Sequence, residues 1–346
     1  SVHGCGVAPR ASRLLVVGVS PDDYLQTAGP GADERAVMQD ETRDAEDVGR
    51  GSYHEEGAHR YDEWDFHRRH YRKQWCAVRE REITPRFDDF SERTLDKYHG
   101  LIKHLRKTFE AMRHENRVLK RQPEGDDVDI DALVEALSDV HLGFEMTDRL
   151  LTKMQRNERN IAVIFMVDMS GSTKGWINDA ERESLLLLCE ALESLGDRYA
   201  IYGFSGMTRK RCELFHIKHF AEPYNEPIQA GISGIEPKDY TRMGFAIRHL
   251  TQVLQSTEAR TRILITLSDG KPDDYDSYRG QYGIEDTRRA LIEARRGGIH
   301  PYCITIDEEA RDYLPRLYGP AAYSVVDDVR SLPLKVSDIY RRLTSR

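Results

Sequence analysis

The pattern of apolar and polar positions divides the chain near residue 160. Beyond that point strand-length apolar runs alternate with helix-length stretches. Residues 161–167, Ile-Ala-Val-Ile-Phe-Met-Val, form a continuous apolar run, the pattern of a strand covered on both faces. The pattern then predicts a helix over 179–195, a strand over 199–204, and an alternating, edge-like strand over 213–220. A helix follows Met243, and a buried strand is predicted over 262–267. A helix over 283–296 ends at Gly297-Gly298, and strands are predicted over 300–306 and 323–326. Repeated βα units with strands buried on both sides imply an α/β fold: a doubly wound, mostly parallel sheet flanked by helices.

The residues before it read differently. Leu95, Tyr98, Ile102, Leu105, Phe109, Met112, Asn116 and Leu119 recur in steps of three and four, which predicts one helix over 91–121. Gln122-Pro-Glu-Gly breaks it. A second seam runs through Ile130, Leu133, Leu137, Val140, Phe144, Thr147, Leu151 and Met154. The two seams read as an antiparallel helical hairpin, or as two faces laid on the following domain. In either case a helical layer precedes the sheet, and Leu105 and Leu137 are expected inside it. Residues 61–83 are too rich in aromatics for a free linker, so this stretch is expected to pack on something. His67, His70 and Cys76 lack the fourth ligand and the spacing of a zinc finger. In residues 1–60 only Leu14 to Val19 resembles a strand. From Asp33 to Asp65 twelve acids face four arginines, the composition of a solvated linker or of an acidic arm for a basic partner. The expected division is therefore 1–60, an acidic irregular segment; 61–157, a connector with a helical hairpin; and 158–346, the α/β domain.

The net charge of −8 argues against a general nucleic-acid binder. Five cysteines, an odd number without CxxC spacing, fit a reducing, cytoplasmic setting better than a disulfide framework. No apolar run approaches the roughly 18 residues of a membrane span. The first residue is Ser1 and not Met, as in a piece cut from a longer chain or after a tag.

In open α/β sheets, sites form where loops leave the carboxyl ends of strands. Three such loops carry oxygen donors: Asp168-Met-Ser170-Gly-Ser172, Asp239-Tyr-Thr241 and Ser268-Asp269-Gly270. Asp168, Ser170, Ser172, Thr241 and Asp269 together offer two carboxylates and three hydroxyls. All are hard oxygen ligands suited to Mg²⁺, or Mn²⁺, in octahedral geometry. An incoming carboxylate can complete the shell of such a cation with electrostatic gain. Asp168 is expected at the surface of its loop.

DxSxS after the first strand, a Thr about seventy residues on, and a later strand ending in Ser-Asp-Gly resemble the metal-ion-dependent adhesion site of von Willebrand factor A-type (VWA) domains. The resemblance implies that Ser170 and Ser172 bind the metal directly, that Thr241 joins when a ligand is engaged, and that Asp168 and Asp269 act largely through water. Longer stretches resemble the C-terminal part of the NorD/CbbO family, over roughly residues 60–346. They include Tyr61-Asp-Glu-Trp-Asp, Gly196-Asp-Arg-Tyr-Ala-Ile-Tyr-Gly-Phe-Ser205, Tyr240-Thr-Arg-Met-Gly244 and Tyr282-Gly-Ile-Glu-Asp-Thr-Arg288. Asp168-Met-Ser-Gly-Ser-Thr-Lys-Gly-Trp176 and Arg262-Ile-Leu-Ile-Thr-Leu-Ser-Asp-Gly270 are nearer to CbbO. The family's larger N-terminal region has no counterpart here. The resemblance implies an adaptor for a hexameric MoxR-type AAA+ ATPase. Its target would present an Asp or Glu to the metal; rubisco is expected first and a nitric oxide reductase second.

Enzyme readings fare worse. No GxxxxGK[ST] loop cradles a phosphate and no GxSxG elbow occurs. A phosphoryl-accepting Asp168 usually wants a second acid two residues on, where Ser170 stands. His216, His219 and His249 lie off the three loops. The expected molecule is a binding module, with a metal-dependent hydrolase as the alternative.

Overall fold

A computed structural model describes residues 57–113, 116–156, 160–268, 271–305, 310–319, 322–326 and 331–344. The expected strand at Leu14 to Val19 and the acidic run up to residue 56 lie outside the described residues. All described residues belong to one unit, Glu55–Arg346.

The sheet is laid out around β6 (Ile161–Asp168), whose eight residues are all buried. It lies between β7 (Arg198–Met207) and β9 (Thr261–Ser268), parallel to both. Beyond β9 come β10 (Ile299–Thr305) and β11 (Tyr323–Val325), also parallel. Beyond β7 the antiparallel β8 (Arg211–Lys218) follows. The doubly wound, mostly parallel arrangement expected from the pattern is what forms.

Alternation along β6 divides the core in two. Val163, Phe165 and Val167 face a layer that includes Leu105, Phe109, Leu185, Leu188, Val336 and Tyr340. Ile164 and Met166 face Phe245, Leu250, Leu291 and Tyr318. A strand buried on both sides has no polar face, which is why its sequence reads as an unbroken apolar run.

The aromatic-rich stretch after residue 57 is not a connector but sheet. β1 (His59–Asp65) and β2 (His70–Glu82) form an antiparallel hairpin. β2 then pairs parallel to β8, Val78 opposite Cys212 through Glu82 opposite His216. The 213–220 segment, expected at an edge, is therefore an interior strand. Its alternation is real, but the neighbour that covers it comes from 134 residues earlier, beyond any local pattern.

The helical hairpin does not form. The first seam yields two helices, α1 (Phe90–Lys97) and α2 (His99–Arg113), and the chain is extended again over β3 (Asn116–Gln122). The second seam yields α3 (Ile130–His141) and, after Leu142-Gly143, β5 (Leu151–Arg156). β3 and the two-residue β4 (Asp127–Val128) pair antiparallel with β5 in a separate three-stranded sheet. Short apolar runs satisfy both periods, and here cross-strand backbone hydrogen bonds win. In α3 the buried residues are Ala132 and Ala136, while Ile130, Val134, Leu137 and Val140 are exposed. Leu137 is thus no core residue, whereas Leu105 is 5% exposed. The layer that does pack on the sheet is α1 and α2, against the long helix α4 (Trp176–Leu195): Lys97 and Tyr98 both bond Glu183.

Among the described residues no helix is long and apolar enough to cross a membrane. Cys76, Cys189, Cys212 and Cys303 are free and buried. Burial pushes the Cys189 and Cys303 thiols up to about 12, so both are inert packing groups at neutral pH.

Candidate metal site at the carboxyl edge of the sheet

β6 ends at Asp168, and the chain turns through a short 3-10 segment, Gly171–Thr173, into α4. This turn is held from two sides. Met169 N–H donates to the Phe204 carbonyl at 3.0 Å, while the Met169 carbonyl accepts from Lys238 N–H at 2.6 Å and Gly171 N–H donates to the Asp239 carbonyl at 2.8 Å. Met169 is fully buried against Gly203, where any Cβ would collide with its sulfur.

The 239–241 loop is stitched down as firmly. Tyr240 and Gly206 exchange two backbone hydrogen bonds, and Thr241 and Asp273 exchange two more. This seats Thr241 over Asp168 just before α5 (Met243–Ser256) begins. Asp168 is the hub. Its Oδ1 accepts the Ser170 N–H at 3.0 Å, its Oδ2 accepts the Ser268 hydroxyl at 2.7 Å, and the Thr241 hydroxyl lies 3.4–3.5 Å from both. The Ser170 and Ser172 hydroxyls meet at 2.8 Å. Asp168, Ser170 and Thr241 are buried and Ser172 is exposed.

Three of the separate loops read from the sequence thus converge. Asp168, Ser170, Ser172 and Thr241 come together; Asp269 lies outside the described residues, although Ser268, its neighbour on β9, is in the cluster. Asp168 is not the surface ligand expected of it. It is wholly buried, and three donors depend on it. The donor set is hard oxygen throughout, with no nitrogen or sulfur, and fits Mg²⁺ or Mn²⁺ far better than a softer ion. The rim holds exposed aromatics: Tyr240 and Tyr275, with ring centres 6.4 Å apart, and Trp176 at the start of α4.

Sequence reasoning missed what braces this loop from behind. Arg242, next to Thr241, is 1% exposed and held by three carboxylates. It reaches Glu63 at 2.7 Å, Asp274 at 2.8 Å and Asp276 at 2.5 Å, and its guanidinium stacks 4.3 Å over Tyr278. Burial opposes the charge, but Glu63 ahead of the other anions overrides it, and Arg242 holds its proton well above the usual range. Glu63 also accepts from Tyr282 at 2.9 Å and from the Cys76 thiol at 3.2 Å. Cys76 is therefore committed inside this network, buried, while His67 and His70 are exposed. The one readable signal was Tyr61-Asp-Glu63-Trp, an acid set among aromatics; nothing local tied it to Arg242, 179 residues away.

The sheet order and this loop arrangement define an α/β domain of the VWA fold, and residues 163–271 match the sequence profile of the von Willebrand factor type A domain. Similarity to whole proteins extends further. A Pseudomonas aeruginosa protein, "Uncharacterized protein PA0525", is 41% identical over 246 residues, 69% of this chain and 40% of its own length. Protein NorD of Brucella abortus is 34% identical over 293 residues, 82% of this chain and 45% of its own. The chain spans less than half the length of these relatives. Among solved structures, the PilB minor pilin from Streptococcus sanguinis shares 16% identity at a TM-score of 0.46, covering 56% of this chain and 64% of the pilin.

Proposed function

We propose that this chain is a NorD-type accessory protein, a binding module and not an enzyme, whose VWA domain holds Mg²⁺ and grips a carboxylate on a target protein. The observation that carries the reading is the convergence of Asp168, Ser170, Ser172 and Thr241 at the carboxyl edge of the sheet. Asp269 is assigned as the fifth member. Mg²⁺, or Mn²⁺, supplies positive charge and open coordination there; the chain supplies one buried anion, three hydroxyls and an aromatic rim. Exposed Trp and Tyr around a charged centre are the residues that anchor protein interfaces.

The family resemblance assigns the force-generating partner, a hexameric MoxR-type AAA+ ATPase, and two target candidates. Similarity to proteins named NorD moves the weight from rubisco activation to maturation of a nitric oxide reductase. The test is capture on the immobilised chain with Mg²⁺, with EDTA, and with Ser172→Ala, an exposed change that spares the fold. Target retained by the wild type with Mg²⁺ and released by EDTA supports the metal bridge. Equal capture in all three conditions rejects it. ATP turnover by the purified chain alone would reject the non-catalytic reading.

A further inference from the structure

A second group of ligating side chains lies on the other arm of the sheet, where the β1–β2 hairpin docks on β8. Glu82 and His216 are cross-strand neighbours there, and His219 follows just past the end of β8. One ring nitrogen from each histidine and one Glu82 oxygen lie within 4.8 Å of one another. The two rings stack at 4.2 Å.

His216 decides what this cluster is. Its side chain is 9% exposed, and its Nε2 lies 2.6 Å from Glu80 Oε2. A carboxylate accepts, so Nε2 carries the proton and in the neutral ring the lone pair sits on Nδ1. Nδ1 is buried and has no hydrogen-bond partner. An unpartnered buried acceptor is a standing cost that structures rarely carry without use. A carboxylate on one imidazole nitrogen with the other left bare is the arrangement that orients histidine toward a metal.

We infer that His216 Nδ1, His219 and Glu82 form a second metal site, for a zinc-type transition ion, independent of the oxygen site at Asp168. Two imidazoles and one carboxylate suit Zn²⁺, Co²⁺ or Ni²⁺ and not Mg²⁺. Tetrahedral Zn²⁺ needs ligand atoms about 3.3 Å apart, given bonds of about 2.0–2.1 Å. The cluster must therefore contract by up to about 1.5 Å. The side chains of His219 and Glu82 are 39% and 79% exposed, and swing freely enough to close onto the fixed His216. A fourth position stays open to water. The ion would fasten the end of β2 to β8, holding in place the hairpin that carries Glu63 to Arg242.

The test titrates the whole, EDTA-stripped chain with Zn²⁺ and, separately, with Co²⁺, in excess Mg²⁺ to occupy the oxygen site. One equivalent is expected to bind, with visible Co²⁺ absorption of tetrahedral strength and a higher Tm. His219→Ala, at a half-buried side chain, and Glu82→Ala, at an exposed one, should each weaken binding at least tenfold. Glu80→Gln, acting through His216, should weaken it about 10–100-fold. His141→Ala, an exposed histidine elsewhere, should change nothing. Unchanged affinity in both His219→Ala and Glu82→Ala, or no stoichiometric binding at all, would leave an ordinary His–Glu surface pair and overturn the site.

Discussion

Replacing Arg242 by Met tests whether the metal-site loop is braced by a buried charge network. The side chain is of similar length and apolar, so little cavity opens. What is lost is the cation between Glu63 and Asp274, whose side chains are 2% and 0% exposed. Removing one partner of a buried ion pair costs about 3–5 kcal/mol, because the remaining charge has neither water nor a counterion. For a domain of this size that is a fall in Tm on the order of 10 °C. The pH dependence has a defined sign. Without Arg242, the carboxyl of Glu63, which burial already pushes up, binds a proton still more readily in the folded than in the unfolded state, where its pKa is about 4. The folded variant then gains protons on acidification, so its deficit against wild type narrows as pH falls toward 5. Urea unfolding followed by circular dichroism at pH 7.5 and pH 5, with EDTA present, measures both quantities. A loss under 1 kcal/mol, or a deficit that does not narrow, would mean that water reaches these carboxylates and that the brace is not a buried network.

Four further outcomes follow from the packing. Thr241→Ala should weaken capture of a target more than Mg²⁺ binding, measured by calorimetry beside pull-down; equal losses would place Thr241 in the resting shell. Asp168→Ala should abolish Mg²⁺ binding and also lower stability by about 1–3 kcal/mol, because the Ser170, Thr241 and Ser268 donors lose their acceptor; a variant that melts like wild type would contradict the hub. Leu105→Asp should destabilise by several kcal/mol, while Leu137→Asp stays within about 0.5 kcal/mol, since the first residue is core and the second exposed; thermal melts separate the two. Burial holds the His249 ring down at about 4, against the pull of Glu80. The folded chain then refuses a proton that the unfolded chain accepts near 6.5, so stability in metal-free buffer should fall between about pH 6.5 and 4, by up to about 3 kcal/mol. His249→Gln should flatten that slope, and an unchanged slope would assign it elsewhere.

What the sequence disclosed and what it withheld follow from the range of the forces involved. β6 and β9 were legible because burial on both faces leaves a one-dimensional mark, an unbroken apolar run. The convergence of the three loops was legible because strand ends in such a sheet are where oxygen donors meet, and DxSxS carries its spacing within five residues. Residues 116–122 and 151–156 were misread as helix because their few apolar positions fit a period of two as well as 3.6. The pairing that chose between them joins residues 29 to 40 positions apart. β8 was misplaced at an edge for the same reason, since its outer neighbour β2 is contributed by the distant hairpin. Glu63 shows the limit most clearly. As a letter it belongs to an acidic run, and its role exists only once β1 lies beside α5 and aims the carboxylate at Arg242. The chemistry of the site was thus written locally, while the rigidity of the site depends on a hairpin outside the stretch that matches the von Willebrand factor type A profile. A truncation that keeps 83–346, and so drops β1 and β2 but keeps α1 and α2, should retain every proposed ligand of the Asp168 site in sequence and leave Arg242 facing Asp274 and Asp276 without Glu63. If that piece bound Mg²⁺ and melted like the whole chain, the hairpin would be decoration; the buried contacts of Glu63, Tyr61 and Cys76 argue that it is structural.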